Sequence, residues 1–272
     1  MASPCGRRRT RTAAAAGILA LVLAGTPGLA SDLAEIRARG SFRVLASSDE
    51  DAAWFSLKGG ESLGFEREVL ESFARVQKLR IEVVPVTRWE DAIPMLLRQD
   101  GDVLGGISAT PERRLKVDFT IELLPARSVV VTKRPQAPIR SLAELRNARL
   151  VIVPNTTWAD ALEKAGVPVS RALRVADIAS AIETIRAGRA DATVSGVVDF
   201  FIQRRKHRDL EAGLPLGEAL SSAWAVRKTS PELRQVLDAY LAQFRRSPNW
   251  SRLLVQYFGD DAPAILGREP VS

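Results

Sequence analysis

Thr110-Pro111-Glu112-Arg113 places a hydroxyl, a proline and a guanidinium within four positions. A threonine before a proline is a helix-start pattern: the hydroxyl caps a free N–H, and the proline fills the first turn, where its missing N–H costs nothing. Arg113 then falls in that turn, and its planar fork beside exposed N–H groups suits a carboxylate. The alternative for Arg113 is surface pairing with Glu112 or Asp118. A second anion-friendly turn is Asn155-Thr156-Thr157, in which Thr157 and Asp160 have the spacing of a capping pair. Acids are present too, in the run Asp49-Glu50-Asp51 and at Asp199; the run reads equally as a solvated loop. Trp54 and Trp89 could give a cleft apolar area and cation-π attraction, or could belong to the core.

Other chemistries lack their residues. The single histidine, His207, sits in Arg204-Arg205-Lys206-His207-Arg208, a cationic run that reads as a solvated helix end. Neither a serine triad nor a histidine metal cluster is expected, since each needs histidine beside its partners. No glycine loop for phosphate or dinucleotide is visible, so no cofactor and no metal is expected. The single cysteine, Cys5, lies in a segment that reads as a secretory leader. Arg7, Arg8, Arg9 and Arg11 precede an apolar run from Ala13 to Gly25, and cleavage is expected after about Ala30. That run is too short to span a bilayer comfortably, a retained N-terminal anchor being the alternative, and Thr26 stands where a lipoprotein needs cysteine. Four of the 39 basic residues belong to the leader, leaving 35 against 32 acidic, about +3. So small an excess points to no nucleic-acid partner.

The elements that must position these groups alternate. Phe42 to Ser47, Arg80 to Val86 and Asp102 to Ile107 read as strands, with helical stripes from Gly64 to Val76 and Trp89 to Leu97 between them. This βαβαβ order favours a mostly parallel sheet covered by helices. A second α/β set starts after Pro135 and Pro138. Its strands are expected near 149–153, 172–175 and 191–195, and its helices from Ser141, Trp158, Ile178 and Val197. A strand at 223–227 and two closing helices, at Pro231 to Arg245 and Pro248 to Phe258, follow. If that end packs on the first set, the chain crosses between two lobes twice, through a hinge of two extended segments. The expected division is a leader at 1–30, lobe 1 at 31–126 plus 222–262, lobe 2 at 127–221, and a tail at 263–272.

GDVLGGISATPERRLKVDF, from Gly101, resembles a signature segment of the family 3 extracellular solute-binding proteins, the polar amino-acid binders of ABC importers. GFEREVLESFARV, RWEDAIPML, VIVPNTTWADAL and the closing PELRQVLDAYLAQF and WSRLLVQYFG follow the family's order. The resemblance implies an α/β periplasmic-binding-protein fold of two lobes and no catalysis. It implies a small carboxylate-bearing ligand captured by cleft closure, an ABC permease as partner, a monomer, a periplasmic location and contact with the membrane only through that partner. Arg113 would hold the carboxylate, with Ser108 and Gly106 beside it, Thr156 and Thr157 completing the site from the second lobe, and Trp54 and Trp89 against the ligand's body. Asn155 replaces the family's glycine, a substitution asparagine tolerates because it accepts left-handed backbone angles.

One departure matters: Gly196 stands where the family carries its amine-binding aspartate, so the ligand lacks an ammonium group or another acid serves. On this reading, an aspartate restored at 196 should increase affinity for α-amino acids. Two alternatives remain. The closing segment is also similar to the non-catalytic domain of lytic transglycosylase F, a sensory reading; the chain ends soon after Gly259, so no fused catalytic domain is expected. The fold also serves cyclohexadienyl dehydratases, for which a cleft acid would be the proton donor.

Overall fold

The computed structural model describes residues 1–2, 32–60 and 62–266. All but two residues of the expected leader, and the last six residues, lie outside the described residues.

The first half alternates as its periodicity requires. Helix α1 (Asp32–Arg39) leads into strand β1 (Ser41–Ser47), followed by α2 (Phe65–Val76), β2 (Arg80–Val86), α3 (Ala92–Leu97), β3 (Val103–Ser108), the short α4 (Pro111–Arg114) and β4 (Asp118–Phe119). Strand β5 (Leu124–Lys133) opens the second half. It continues through α5 (Leu142–Asn147), β6 (Val151–Ile152), α6 (Thr157–Lys164), β7 (Leu173–Arg174), α7 (Ile178–Arg186), β8 (Thr193–Gly196) and α8 (Val197–Lys206). The long β9 (Leu210–Val226), α9 (Pro231–Phe244), α10 (Pro248–Phe258) and α11 (Ala262–Ile265) complete the described chain. The helix expected from Trp89 begins as a 3-10 turn, Trp89–Asp91, before α3.

Helix ends follow their sequence signals. Ser141 accepts from the Glu144 N–H and donates to the Glu144 carboxylate, while that carboxylate accepts from the Arg140 N–H. This reciprocal arrangement satisfies two otherwise orphan donors. Asp177 caps α7 through the Ser180 N–H at 2.7 Å. The apolar stripe of α2 buries Phe65, Val69, Leu70 and Phe73 completely, which drives the helix onto the sheet.

The sheet is mixed. Its order is β2-β1-β3-β9-β5-β8, with β4 also on β9, while β6 and β7 form a parallel pair. β1 lies parallel to both β2 and β3, whereas β9 is antiparallel to β3 and β5, and β8 is antiparallel to β5. A parallel bridge from Leu150 to Ala192 brings β6 beside the start of β8. The stretch expected as one short strand at 223–227 is the end of β9, which begins at Leu210. Both expected lobe crossings, at 126/127 and 221/222, fall inside continuous strands. Residues 263–265, expected as the start of a tail, form α11 together with Ala262, and Ile265 is completely buried.

Candidate functional site

Gly106, Ser108, Arg113, Thr156, Thr157, Trp54, Trp89 and Gly196 all line one cavity of about 880 Å³. The chain supplies it from the ends of β1, β3 and β8, from α4 and the starts of α6 and α8, and from the middle of β5 and β9.

Arg113 is fixed by its own turn. Thr110 caps α4 by accepting from the Arg113 N–H at 3.3 Å, and one guanidinium nitrogen donates to the Ser108 carbonyl at 2.9 Å. Burial lowers the guanidinium pKa, opposed by attraction from Asp160 and Glu112, yet an arginine stays charged at neutral pH. Neither surface partner considered from sequence takes it. Asp118 faces Arg234 at 3.9 Å, and Glu112 acts on Arg113 only at a distance.

At α6 the structure corrects the expected cap. Thr156, not Thr157, is the N-cap: its hydroxyl accepts from the Ala159 N–H at 3.2 Å and donates to the Val153 carbonyl at 2.8 Å. Thr156 is thereby committed on both sides, and Thr157 stands one place further on, in the first turn, with its hydroxyl outside the cap. Asn155 has φ 60°, the left-handed backbone expected of it.

Behind two residues of the cavity lining, Gly106 and Trp54, lies a buried carboxylate. Glu66 of α2 is 2 % exposed and accepts from the Gly106 N–H at 2.5 Å and the Trp224 indole at 2.9 Å. The Trp54 indole nitrogen lies close to the same carboxylate. Burial pushes Glu66 up to about 7 against the pull of these three donors. Gly106 has φ +49°, and a Cβ there would lie 2.8 Å from the Trp54 indole nitrogen and 3.1 Å from Glu66 Oε2. Trp54 is mostly core, 5 % exposed and stacked on Phe65 at 5.5 Å. Only its edge reaches the cavity. Trp89 is half-buried on its 3-10 turn, and Trp158, which the sequence reading passed over, adds a third aromatic from the first turn of α6. An aromatic directly after the Asn-Thr-Thr turn was the available signal.

Gly196 changes meaning. A Cβ at this position would meet Asp199 Oδ2 at 2.6 Å and the Trp158 indole nitrogen at 3.3 Å. The Asp199 carboxylate fills the space that a side chain at 196 would take. An aspartate at 196 would have to displace the Asp199 carboxylate, so the gain in α-amino-acid affinity expected of it stands as a prediction. Burial, with repulsion from Asp51, raises Asp199 to about 7. Glu50 is pushed well above its usual value, first by burial and then by Asp199, Glu66, Asp51 and Asp49; every charge acting on it is another carboxylate.

Asp51 is spent elsewhere. It accepts from Gln203 at 3.0 Å and Lys206 at 2.5 Å, both on α8, and from the Ala53 N–H at 2.9 Å. His207 lies outside the cavity, 3.7 Å from Glu183. Among the described residues no group of His, Cys, Asp and Glu could hold a metal ion, and no helix is long and apolar enough to cross a membrane.

The family model for bacterial extracellular solute-binding proteins, family 3, matches residues 43–260, which include the whole cavity. The chain belongs to this family. It is 26 % identical over 211 residues to a probable amino-acid ABC transporter-binding protein of Haemophilus influenzae, covering 76 % of this chain and 80 % of that protein. It is also 26 % identical over 239 residues to membrane-bound lytic murein transglycosylase F of Stutzerimonas stutzeri, 84 % of this chain but only 48 % of that one. Among solved structures, the ancestral amino acid-binding protein AncCDT-1, a precursor of cyclohexadienyl dehydratase, superposes with a TM-score of 0.73 at 27 % identity, over 84 % of this chain and all of the other. The two-lobed binding-protein fold and the solute-binding family expected from the sequence are both established by these matches.

Proposed function

We propose that this family 3 solute-binding protein captures an amino-acid-like ligand with a carboxylate and a cationic group, and delivers it to an ABC importer outside the cytoplasm. The observation that carries this reading is one cavity with two unlike ends. Among the described residues, Arg113 enters it with no carboxylate in ion-pair contact, while the charges that raise Glu50 and Asp199 are other carboxylates. Charges buried without partners are costly, so a ligand that supplies both signs repays both ends at once. Arg113, the Ser108 and Thr157 hydroxyls and the N–H groups opening α6 would hold the carboxylate. Glu50 and Asp199 would hold the cation in place of an acid at 196. Trp89 and Trp158 would cover the body between them.

Capture follows from the lobes, taken as 31–126 with 222–262 and 127–221. Ligand engages Arg113 on the first, and Thr157 completes the site as the second swings in. An exported monomer, its leader removed after about Ala30, acting as a binder and not an enzyme, completes the proposal. The relatives' names for amino-acid transport support it.

A thermal-shift screen over L-arginine, L-lysine, neutral and acidic amino acids, dicarboxylates and muropeptides tests it, since a ligand of the folded state raises the unfolding midpoint. Cationic amino acids should shift it most, and Arg113→Ala should weaken that binding by about 2 kcal/mol or more. A shift from dicarboxylates alone would overturn the cationic half of the reading. The similarity to lytic transglycosylase F over 84 % of the chain favours one other reading, a sensor of cell-wall fragments, and a shift by muropeptides alone would establish it.

A further inference from the structure

We infer that Gln203 is a positioning residue for the cation end of the cleft: by holding Asp51 it sets where Glu50 stands relative to Asp199. The inference rests on the proposed reading that these two acids take the ligand's cationic group, and it adds what brings them together. Helix α8 carries the argument. Asp199, Gln203 and Lys206 are spaced i, i+4 and i+7, so they share one stripe of the helix. Two of the three reach the loop after β1, where Gln203 Nε2 donates to Asp51 Oδ2 at 3.0 Å and Lys206 Nζ to the same oxygen at 2.5 Å. Asp199 stands one turn, about 6 Å, nearer the start of α8 than Gln203, in the turn that lines the cavity. Glu50 directly precedes Asp51 and lines the same cavity. The two acids therefore lie one step beyond a single contact, each on its own side of it.

Both sides of that contact are fixed. Asp51 Oδ1 accepts from the Ala53 N–H at 2.9 Å, and the Asp51 carbonyl accepts from the Trp54 and Phe55 N–H groups at 2.8 and 2.9 Å. That turn sets the direction in which the chain leaves Glu50. On the other side, Phe200 and Phe201 are buried in the same core as Trp54, Phe55 and Phe258, which holds α8 against rotation. Arg204 lies over both rings, at 5.4 and 5.2 Å, and pairs with Asp261 at 2.5 Å. Gln203 is 2 % exposed, and an amide buried so deeply is costly without a partner. Lys206 is half exposed, so Gln203 is the donor whose loss is felt at the cleft.

The test is calorimetric titration of L-arginine into the full chain. Gln203→Ala should weaken binding about tenfold, and Asp51→Ala should do the same. Asp51→Asn should keep most of the affinity, because asparagine retains the Ala53 bond through its oxygen and offers its amide to a Gln203 amide turned over. The Glu50→Gln background separates positioning from a merely structural role. If Gln203 acts through Glu50, Gln203→Ala should cost far less than tenfold once Glu50 has lost its charge. Equal losses in both backgrounds, or an unchanged affinity in Gln203→Ala, overturn the inference, and Asp51→Ala supplies the same comparison where Gln203→Ala does not fold. Wild-type protein that does not bind L-arginine, or a Glu50→Gln variant that binds it as tightly as wild type, overturns instead the reading of the cleft on which the inference stands, and the inference with it.

Discussion

The cavity's residues divide by what they have left to offer. Thr156 has spent its hydroxyl on the backbone, and Thr157 has not. Thr156→Val should lower unfolding free energy by about 1 kcal/mol, as losses of a helix cap do, while Thr157→Val should leave the denaturation midpoint alone and weaken only ligand binding. Equal denaturation curves for the two variants would refute the distinction. Gly196→Ala should cost about 0.5–1.5 kcal/mol, because the added methyl meets Asp199 Oδ2 at 2.6 Å and turns that carboxylate from its rotamer, and Asp199→Ala in the same chain should relieve it. A double variant no more stable than Gly196→Ala alone would show that the crowding lies elsewhere. Much of this site was legible in the sequence because its signals are local: Thr-Pro-x-Arg fixes a cap, and asparagine before Thr-Thr announces a left-handed turn. What stayed hidden was long-range. Nothing near Glu66 in the chain tells that Gly106 and Trp224, 40 and 158 positions on, bring it their N–H groups. Likewise the collision of a side chain at 196 with Asp199 depends on how α8 leaves its strand.

Among the elements, α8 is the one that reaches across. Arg204 pairs with Asp261, Arg205 donates to the Gln256 carbonyl, and Gln203 and Lys206 meet Asp51 in the loop after β1. The basic run is largely exposed, as a solvated helix end is, and Arg204, Arg205 and Lys206 also bond across to the first half of the fold and its closing helices. Periodicity could mark the helix but not the acids waiting for it. Lys206 is half exposed, so its loss should change stability by less than about 1 kcal/mol. Asp51→Ala, which also strands the Gln203 amide and the Ala53 N–H, should cost about 1–3 kcal/mol and enlarge the ligand-free radius of gyration in solution scattering. An unchanged radius would mean that this contact does not hold the cleft. The strands show the complementary limit of sequence reading. The alternating first half predicted β1 to β3 closely, but Gly213, Pro215 and Gly217 disguise the run from Leu210 to Ser222, which is strand because β5 pairs with it.

For the whole molecule, the raised acids set the direction of its pH dependence. Glu66 at about 7 against an ordinary 4.5, and Asp199 at about 7 against 3.8, hold protons that the unfolded chain has already released. Their contribution to stability is full below about pH 4 and is lost as pH rises through 7. The lowered carboxyls, Asp191, Glu112 and Glu144, act below their ordinary values and do not enter this window. The ligand-free protein should therefore melt at a higher temperature at pH 5.5 than at pH 8 by calorimetry; the reverse order would contradict the burial of these groups. A cationic ligand should narrow the difference by paying for the ionised acids itself. The length of β9 has a mechanical corollary. Its 17 residues extend for about 55 Å and share a ladder with β5 from Leu210 to Ser222. Two strands bonded along their length cannot swivel as a loose linker does, and they yield chiefly by twisting. Register irregularities between Ala126 and Ser128 and between Val129 and Val131 interrupt that ladder and increase its local twist. On the proposed capture by closure, opening is then an elastic displacement with a restoring torque, and the rest angle of the cleft is set by the coil of two strands.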